Sequence, residues 1–131
     1  MVLSLHACDI ATDLAIALGI RTRAESIVCV PCCHKEMKDA IGSADLAPIL
    51  RHGIFKARFN DLMTDGMRAL KMEEYGYEVD ALEYISPLDS PKNLMLKARK
   101  KRDYNSEKGK EYAALAAYLG TEPSVLKHYV Y

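Results

Sequence analysis

The stretch Ser26-Ile27-Val28-Cys29-Val30-Pro31-Cys32-Cys33-His34 decides the fold class of this chain. Its first part is a run of β-branched and small apolar residues, which is typical of a buried strand over Ile27 to Val30. Pro31 then stops the hydrogen-bonding ladder, and polarisable side chains follow it at once. We therefore predict a strand that ends at a functional surface.

A second stretch has the same organisation at the beginning of the sequence. Val2-Leu3-Ser4-Leu5-His6-Ala7-Cys8-Asp9 joins a short apolar run to a histidine, a cysteine and a carboxylate. Its apolar residues do not alternate with charges, so we predict a strand over Val2 to His6 that is buried on both faces. Two such strand ends in one small domain predict one shared crevice.

Helical patterns separate the predicted strands. Asp9 or Thr12 is a plausible cap for a first helix, which Gly19 would end. Apolar residues recur at three- and four-residue intervals from Leu46 to Leu70. This spacing predicts a long helix, bent near His52-Gly53, whose apolar stripe lies in the core.

The remaining elements are shorter. We predict a short helix over Lys35 to Asp39 and expect Asp45 to cap the long helix, which would close at Tyr75-Gly76. Further patterns predict an edge strand over 77–85, a second hairpin strand over 93–98, a helix over 107–119 and a short helix within 121–129.

The order of these elements predicts an α/β fold. Strands that are separated by helices require right-handed crossovers and therefore a parallel sheet. The C-terminal hairpin adds an antiparallel member to that sheet. The arrangement corresponds to one half of a doubly wound fold.

Composition limits the classes of function. The chain has 131 residues, with 18 Lys or Arg against 18 Asp or Glu, which excludes a strongly basic nucleic-acid binder. Positive charge is nevertheless concentrated between Lys92 and Lys110, where Asp103 and Glu107 are the only acidic residues. This segment could guide a polyanion such as RNA toward the crevice.

The spacing of the cysteines and the hydropathy of the chain indicate the cellular compartment in which we expect the protein. No apolar run approaches the roughly 20 residues that span a bilayer, and the N-terminal segment lacks a basic leader. Three of the four cysteines fall within five residues, which is a poor disulfide framework. We therefore expect reduced thiols and a cytoplasmic protein.

Three motifs resemble a known family. His6-Ala7-Cys8-Asp9-Ile10-Ala11-Thr12-Asp13, Val30-Pro31-Cys32-Cys33-His34-Lys35-Glu36 and Ser90-Pro91-Lys92-Asn93-Leu94 look like the later motifs of a family of S-adenosylmethionine-dependent methyltransferases. The tRNA acceptor-stem 2′-O-methyltransferases are similar at a distance. The resemblance covers roughly residues 1 to 100. It implies a partial Rossmann-like methyltransferase sheet, strands four to seven, over 1–103 and a helical extension over 104–131.

The resemblance also implies roles for individual residues. Contacts to S-adenosylmethionine would come from one strand end, and contacts to the methyl acceptor from the next strand end and the hairpin. The implied cofactor contacts are Leu5, His6, Ala7, Cys8 and Asp9. The implied acceptor contacts are Pro31, Cys32, Cys33, His34, Lys92 and Asn93. Either Asp9 or His34 would accept the proton of the acceptor.

One feature of the family is missing from this sequence. Such enzymes bind the cofactor through a glycine-rich turn after their first strand, but the seven glycines here never form a Gly-x-Gly pair. We therefore expect a truncated enzyme that binds S-adenosylmethionine weakly or not at all and is inactive alone. The edge of the Val2 to His6 strand would pair either in a homodimer or with a separate chain that carries the missing half.

Two other interpretations of the cysteines stay open. Cys29 and Cys32 have the spacing of a zinc knuckle, which Cys8, His6 and His34 could complete. The same Cys-x-x-Cys pair follows a strand and precedes a predicted helix, as in thioredoxin-like redox proteins. The cysteines can also be inert packing residues, and a non-catalytic zinc-binding or polyanion-binding module is the alternative to the enzyme.

Overall fold

The fold is α/β, as the order of the sequence patterns predicts. It is given by a computed structural model that describes residues 1–130. In that part of the chain the elements are β1 (Val2–Leu5), α1 (Asp9–Arg21), β2 (Ser26–Val30), a 3₁₀ turn (Ala44–Leu46), α2 (Ala47–Leu50), α3 (Gly53–Glu74), β3 (Tyr77–Glu83), β4 (Leu94–Lys100), α4 (Ser106–Leu119) and α5 (Ser124–His128).

The four strands form one mixed sheet in the order β1-β2-β4-β3. β1 pairs in parallel with β2, with Val2 opposite Ile27, and α1 makes the crossover between them. β4 is antiparallel to both of its neighbours, so the last strand lies between β2 and β3. The predicted parallel pair and antiparallel hairpin are thus confirmed, and β1 and β3 are the sheet edges.

The main core lies on one face of the sheet. Side chains from α1, α3 and α5 pack there on the strands, and the buried residues of this cluster are Ile16, Ala17, Ile20, Ile27, Cys29, Met72, Tyr77, Leu96, Ala98, Val125, Leu126 and Val130. A Cβ on Gly19 would stand 2.6 Å from the Ile27 side chain. The glycine therefore permits close helix–strand contact. The prediction that it ends α1 is wrong, because the helix continues to Arg21.

The opposite face of the sheet is largely exposed. Leu3 and Leu5 of β1 point to this face and are 55% and 56% exposed, so the prediction of a strand buried on both faces is wrong. No helix among the described residues covers them. Toward the other edge the same face becomes charged, with Glu78 opposite Arg99 and Asp80 opposite Lys97.

The predicted long helix is divided into two. His52 has an extended backbone and precedes α3, while Asp45 lies inside the 3₁₀ turn and caps nothing. The predicted helix over Lys35 to Asp39 is also wrong, because this segment forms successive turns. Its buried side chain, Met37, packs in a second cluster with Met67 of α3.

The apolar stripe of α3 lies only partly in the core, contrary to the prediction. Ile54, Phe55 and Leu62 are more than half exposed, whereas Met67 and Met72 are buried. The buried face of α3 is mostly polar instead, and its polar members are Asn60, Thr64, Asp65, Arg68, Lys71 and Glu74. A helix that buries this many polar groups must pair them, and the pairing forms the site described below.

The C-terminal helices complete the structure. α3 closes before Gly76, whose φ of 84° is the predicted left-handed conformation. Asn105 caps α4, which packs on α3, while α5 contributes to the main core against α1. The division of the chain into a methyltransferase-like part over 1–103 and a helical extension over 104–131 stays a prediction. Within residues 1–130, no helix is long and apolar enough to cross a membrane.

Candidate functional site

The ends of β1 and β2 lie side by side. The His6 N–H donates to the Val30 carbonyl at 3.1 Å, which extends the parallel ladder past β1. Beyond it, the Cys32 thiol lies 3.7 Å from the Ala7 carbonyl oxygen. The two cysteine-bearing segments therefore share one edge of the sheet, as their sequence pattern predicts.

Arg68 of α3 connects these strand ends to the helix layer. Its guanidinium donates to Asp13 Oδ1 at 2.6 Å, to Asp9 Oδ1 at 2.9 Å and to Asp65 Oδ1 at 3.0 Å. The Arg68 side chain is fully buried, and Asp13 is fully buried with it. The other Asp9 oxygen accepts the Glu36 N–H at 2.6 Å. Asp9 therefore links the start of α1 both to α3 and to the segment that follows β2.

Three carboxylates share the single positive charge of this Arg68 network. Burial raises the pKa of Asp13 to about 6, although Arg68 opposes the shift. Burial by itself would lower the pKa of Arg68, but Asp13 and Asp65 raise it above its ordinary value. One oxygen of Asp13 has no hydrogen-bond partner. The guanidinium therefore stays charged and is the buried cation that these carboxylates surround.

His34 lies at the outer end of the same network. Its Nε2 is 2.8 Å from Asp65 Oδ2, and its backbone carbonyl accepts from the Asn60 side chain at 2.6 Å. Its Nδ1 faces Asp61 at 3.3 Å and Lys92 at 3.5 Å. A carboxylate only accepts hydrogen bonds, so Asp65 favours a proton on Nε2. When the ring is neutral, Lys92 Nζ can donate to the lone pair that is left on Nδ1.

A cavity opens beside His34 at the carboxyl end of β2. Its volume is about 290 Å³, and one wall comes from α3 while the other comes from the sheet and hairpin. The lining residues are Pro31, His34, Asp61, Leu62, Asp65, Gly66, Ala69, Ala81, Pro91, Lys92, Leu94 and Leu96. A smaller polar group, His34 with Asp61 and Lys92, stands at one end of a mostly apolar lining. This combination is typical of small-molecule sites.

The predicted cofactor residues form the tip of β1. Leu5, His6 and Cys8 are exposed there, and His6 has a φ of 49° that turns the chain out of the strand. The Tyr84 hydroxyl reaches His6 Nε2 at 3.3 Å from the end of β3. Asp9 differs from the others because it is buried and both of its oxygens are engaged.

The predicted acceptor residues fall into two groups. His34 and Lys92 meet at the cavity, and Pro31 lines it. Cys32 and Cys33 are half-buried on a neighbouring depression with their sulfurs 3.8 Å apart. The remaining member, Asn93, donates to the Ile85 carbonyl at 2.9 Å and closes the hairpin.

Four residues of the site were not predicted from the sequence, namely Asp13, Asp61, Asp65 and Arg68. Asp61 and Asp65 face the His34 ring, and Arg68 joins Asp65 to the buried Asp13. Their signal is a polar stripe at positions 61, 65 and 68 within an otherwise apolar helical pattern. Helical spacing of three and four places such residues on one face. Charged residues on a face that also carries core methionines indicate a buried network.

The geometry does not favour a zinc or redox site. Cys29 is fully buried in the main core, and burial raises the pKa of its thiol to about 12. Burial and the neighbouring Cys33 thiol also raise the pKa of Cys32. Zinc binding and thiol exchange both require a thiolate, which these shifts disfavour. Among residues 1–130, no group of three or more His, Cys, Asp or Glu side chains is arranged to hold a metal.

The basic segment Lys92 to Lys110 does not form one free surface. Four of its lysines form ion pairs, which are Lys92 with Asp61 at 2.6 Å, Lys101 with Glu78 at 3.7 Å, Lys108 with Glu111 at 2.8 Å and Lys110 with Glu107 at 3.0 Å. These pairs reduce the excess of positive charge that the sequence suggests. Binding of RNA to this segment stays a prediction.

Comparison with known proteins gives one finding. A family model described as a methyltransferase domain matches residues 1–40. The matched segment contains β1, α1, β2 and the turns that follow His34, and it stops before the 3₁₀ turn and α3. No curated protein and no solved structure is significantly similar to the chain.

The Arg68 network generates a stability prediction. We expect Arg68→Met to lower the free energy of unfolding by roughly 3–5 kcal/mol at pH 7.5, because it leaves buried carboxylates unpaired. Urea unfolding of this variant and of Arg58→Met, which removes an exposed arginine from the same helix, measures the difference. Arg58→Met should change the free energy by less than about 0.5 kcal/mol.

The loss should also depend on pH. The folded-state pKa of Asp13 lies above its ordinary value of 3.8, so its contribution to stability falls as pH rises from about 4 to about 6. Arg68 opposes this shift, so its removal should raise the folded-state pKa of Asp13 further. The deficit of Arg68→Met should therefore be smaller at pH 5 than at pH 7.5. A deficit that grows on acidification would contradict this account of the network.

Proposed function

We propose that this chain supplies the acceptor-binding half of an S-adenosylmethionine-dependent methyltransferase. One observation carries the proposal. The methyltransferase-domain match covers residues 1–40, and this segment contains both strand ends that meet beside the buried His34. In open α/β sheets, ligands bind at the carboxyl ends of such strands. A buried histidine between two carboxylates at that place is a candidate proton acceptor.

The residues at the β1 tip fit one wall of a cofactor site. Leu5, His6 and Cys8 are exposed and can contact a ligand, whereas Asp9 has no free carboxylate oxygen to offer. Asp9 is therefore better explained as a positioning residue that holds the tip to Arg68 and Glu36. When bound, S-adenosylmethionine supplies a methyl group whose bond to sulfur breaks, with the electron pair staying on sulfur, as the acceptor bonds to carbon.

His34 is the better of the two predicted proton acceptors. Its Nδ1 lies beside Asp61 and Lys92, which line the cavity together with His34. From there Nδ1 could take the proton of an acceptor hydroxyl, thiol or amine as that atom forms its new bond. Asp65 fixes the ring through Nε2 and stabilises the imidazolium that results. Lys92 and Asp61 flank Nδ1, and the Asp61 carboxylate would stabilise the positive charge that the ring gains.

A titration with S-adenosylhomocysteine, the demethylated cofactor, tests this assignment without requiring the acceptor. We expect a Kd in the millimolar range, about 4 kcal/mol, because the chain offers one wall and no glycine-rich turn. In ¹H–¹⁵N spectra the amides of residues 5–9 and 32–36 should shift, while those of α4 should not. Replacing His6→Ala should weaken the response, and replacing the exposed histidine of another segment, His52→Ala, should leave it unchanged.

Two outcomes would contradict the proposal. One is the absence of any response at concentrations of about 10 mM, which lies well above the expected Kd. The other is a response that is confined to α4 and α5 or that is equal for both histidine variants. Either result would show that the chain does not take part in methyl transfer and would favour the alternative of a non-catalytic binding module.

We propose further that another polypeptide segment, an α/β unit with helices on both faces of its sheet, pairs with the β1 edge. The edge leaves backbone groups of an apolar strand unpaired. On one side of the sheet Ile10, Leu14 and Leu18 form a half-exposed stripe along α1, at four-residue spacing. On the other side Leu3 and Leu5 are equally exposed.

The two exposed patches distinguish between two possible partners at the β1 edge, a second copy of the chain and a separate α/β unit. A two-fold homodimer through β1 would bring two α1 stripes together on one side but would leave the leucines of β1 uncovered on the other. A unit with helices on both faces covers both patches and extends the sheet. The charged β3–β4 part of the open face needs no cover. A partner that also carries the glycine-rich turn would complete the cofactor site.

Mixing experiments test the pairing. The probe is the N-terminal, glycine-rich half of a methyltransferase that matches the same family model, and light scattering measures the mass of the mixture. We expect a 1:1 complex that Leu14→Lys with Leu18→Lys weakens, whereas Leu88→Lys, at an exposed hairpin position, does not. A stable homodimer of the chain that the same α1 variants dissociate would contradict the proposal in favour of self-association. The absence of any complex would contradict it as well.

A further inference from the structure

The cavity beside His34 is formed by small residues on both of its walls. Gly66 and Ala69 lie on the α3 side, one and two helical turns after Leu62, and Ala81 lies opposite on β3. Larger side chains at these positions would fill the space from either wall. The remaining lining is apolar, apart from the cluster of His34 with its carboxylate and lysine neighbours.

Gly66 is unfavourable for the helix that contains it. It lies inside α3, where glycine costs about 1 kcal/mol relative to alanine. Its φ is not positive, and a Cβ built on it meets no atom within 4 Å. Neither backbone conformation nor packing within the chain therefore requires glycine here. Gly19 and Gly76 differ, because a Cβ at those positions would collide with neighbouring atoms.

We infer that the cavity is the binding site of a small, uncharged acceptor, namely a one- or two-ring apolar molecule that carries a hydroxyl group. The apolar ring would pack against Gly66, Ala69 and Ala81, and the hydroxyl would face His34 Nδ1. That this ligand is a methyl acceptor rests on the proposed function. Its binding to the cavity needs no cofactor.

Cavity size and lining determine this class of ligand. A cavity of roughly 150 Å³ holds benzene, so the present volume of about 290 Å³ suits one or two fused rings. An apolar lining penalises a charged ligand, because few polar groups replace its hydration. The one cation at the cavity, Lys92, is already paired with Asp61 at 2.6 Å. A phosphate backbone would therefore find little free positive charge.

Binding of 2-naphthol to the whole chain tests the inference. We expect the methyl signals of Ala69 and Ala81 and the amide of Gly66 to shift in NMR spectra. Gly66→Leu should weaken binding at least about tenfold by filling the cavity, and Ala81→Leu should do so from the opposite wall. Gly53→Leu, at the other glycine of α3 with an unobstructed Cβ, should bind like the wild type.

The variants also exclude a trivial explanation. Leucine is a better helix former than glycine, so the urea midpoint of Gly66→Leu should not fall below that of the wild type. Naphthol shifts located elsewhere, or full binding by both cavity variants, would overturn the inference. So would shifts at the cavity that are induced by a single-stranded oligoribonucleotide and not by naphthol.

The outcome is independent of the cofactor titration. Naphthol binding without any response to S-adenosylhomocysteine supports the cavity as a ligand site and contradicts the methyltransferase proposal. The reverse result keeps the methyltransferase proposal and overturns the class of acceptor.

Discussion

The ionic contact between Arg68 and the carboxylates of Asp9, Asp13 and Asp65 organises the functional end of this protein. A fully buried guanidinium is tolerable only because each of its three nitrogens donates to a carboxylate. In meeting them, Arg68 fixes the start of α1, the middle of α3 and, through Asp65, the ring of His34. Removing the Arg68 charge would leave the three carboxylates without their shared cation. The network therefore orients the candidate base at a cost that the surrounding core has to offset.

The sheet explains the rest of the architecture. Helices cover one face, and the apolar part of the other face is confined to β1, next to the unpaired edge. An apolar edge strand with exposed leucines on one side and an exposed α1 stripe on the other has the surface of an interior strand. The charged pairs between β3 and β4 show the contrast, because that end of the open face is suited to water. The proposed partner follows from this gradient of polarity.

Sequence patterns predicted the elements that local rules determine. The parallel pair, the hairpin and α4 follow from runs of apolar residues and turn residues, and the meeting of His6 and His34 segments follows from their places after parallel strands. The errors have a common physical cause. Gly19, the apolar stripe of α3 and the leucines of β1 were interpreted from one element at a time, but burial depends on which neighbour covers each face. Arg68 was not predicted because its role depends on ion pairs with residues that are distant in sequence, Asp9 and Asp13.

The tautomer of His34 tests the central claim most directly, since Asp65 can hold the ring only through a proton on Nε2. A long-range ¹H–¹⁵N correlation spectrum at pH 8 distinguishes the two ring nitrogens. The account predicts that Nε2 of His34 carries a proton held by Asp65, unlike the ring nitrogens of the exposed His52. An Nε2 without a proton, or averaged nitrogen shifts like those of a freely exposed ring, would contradict it.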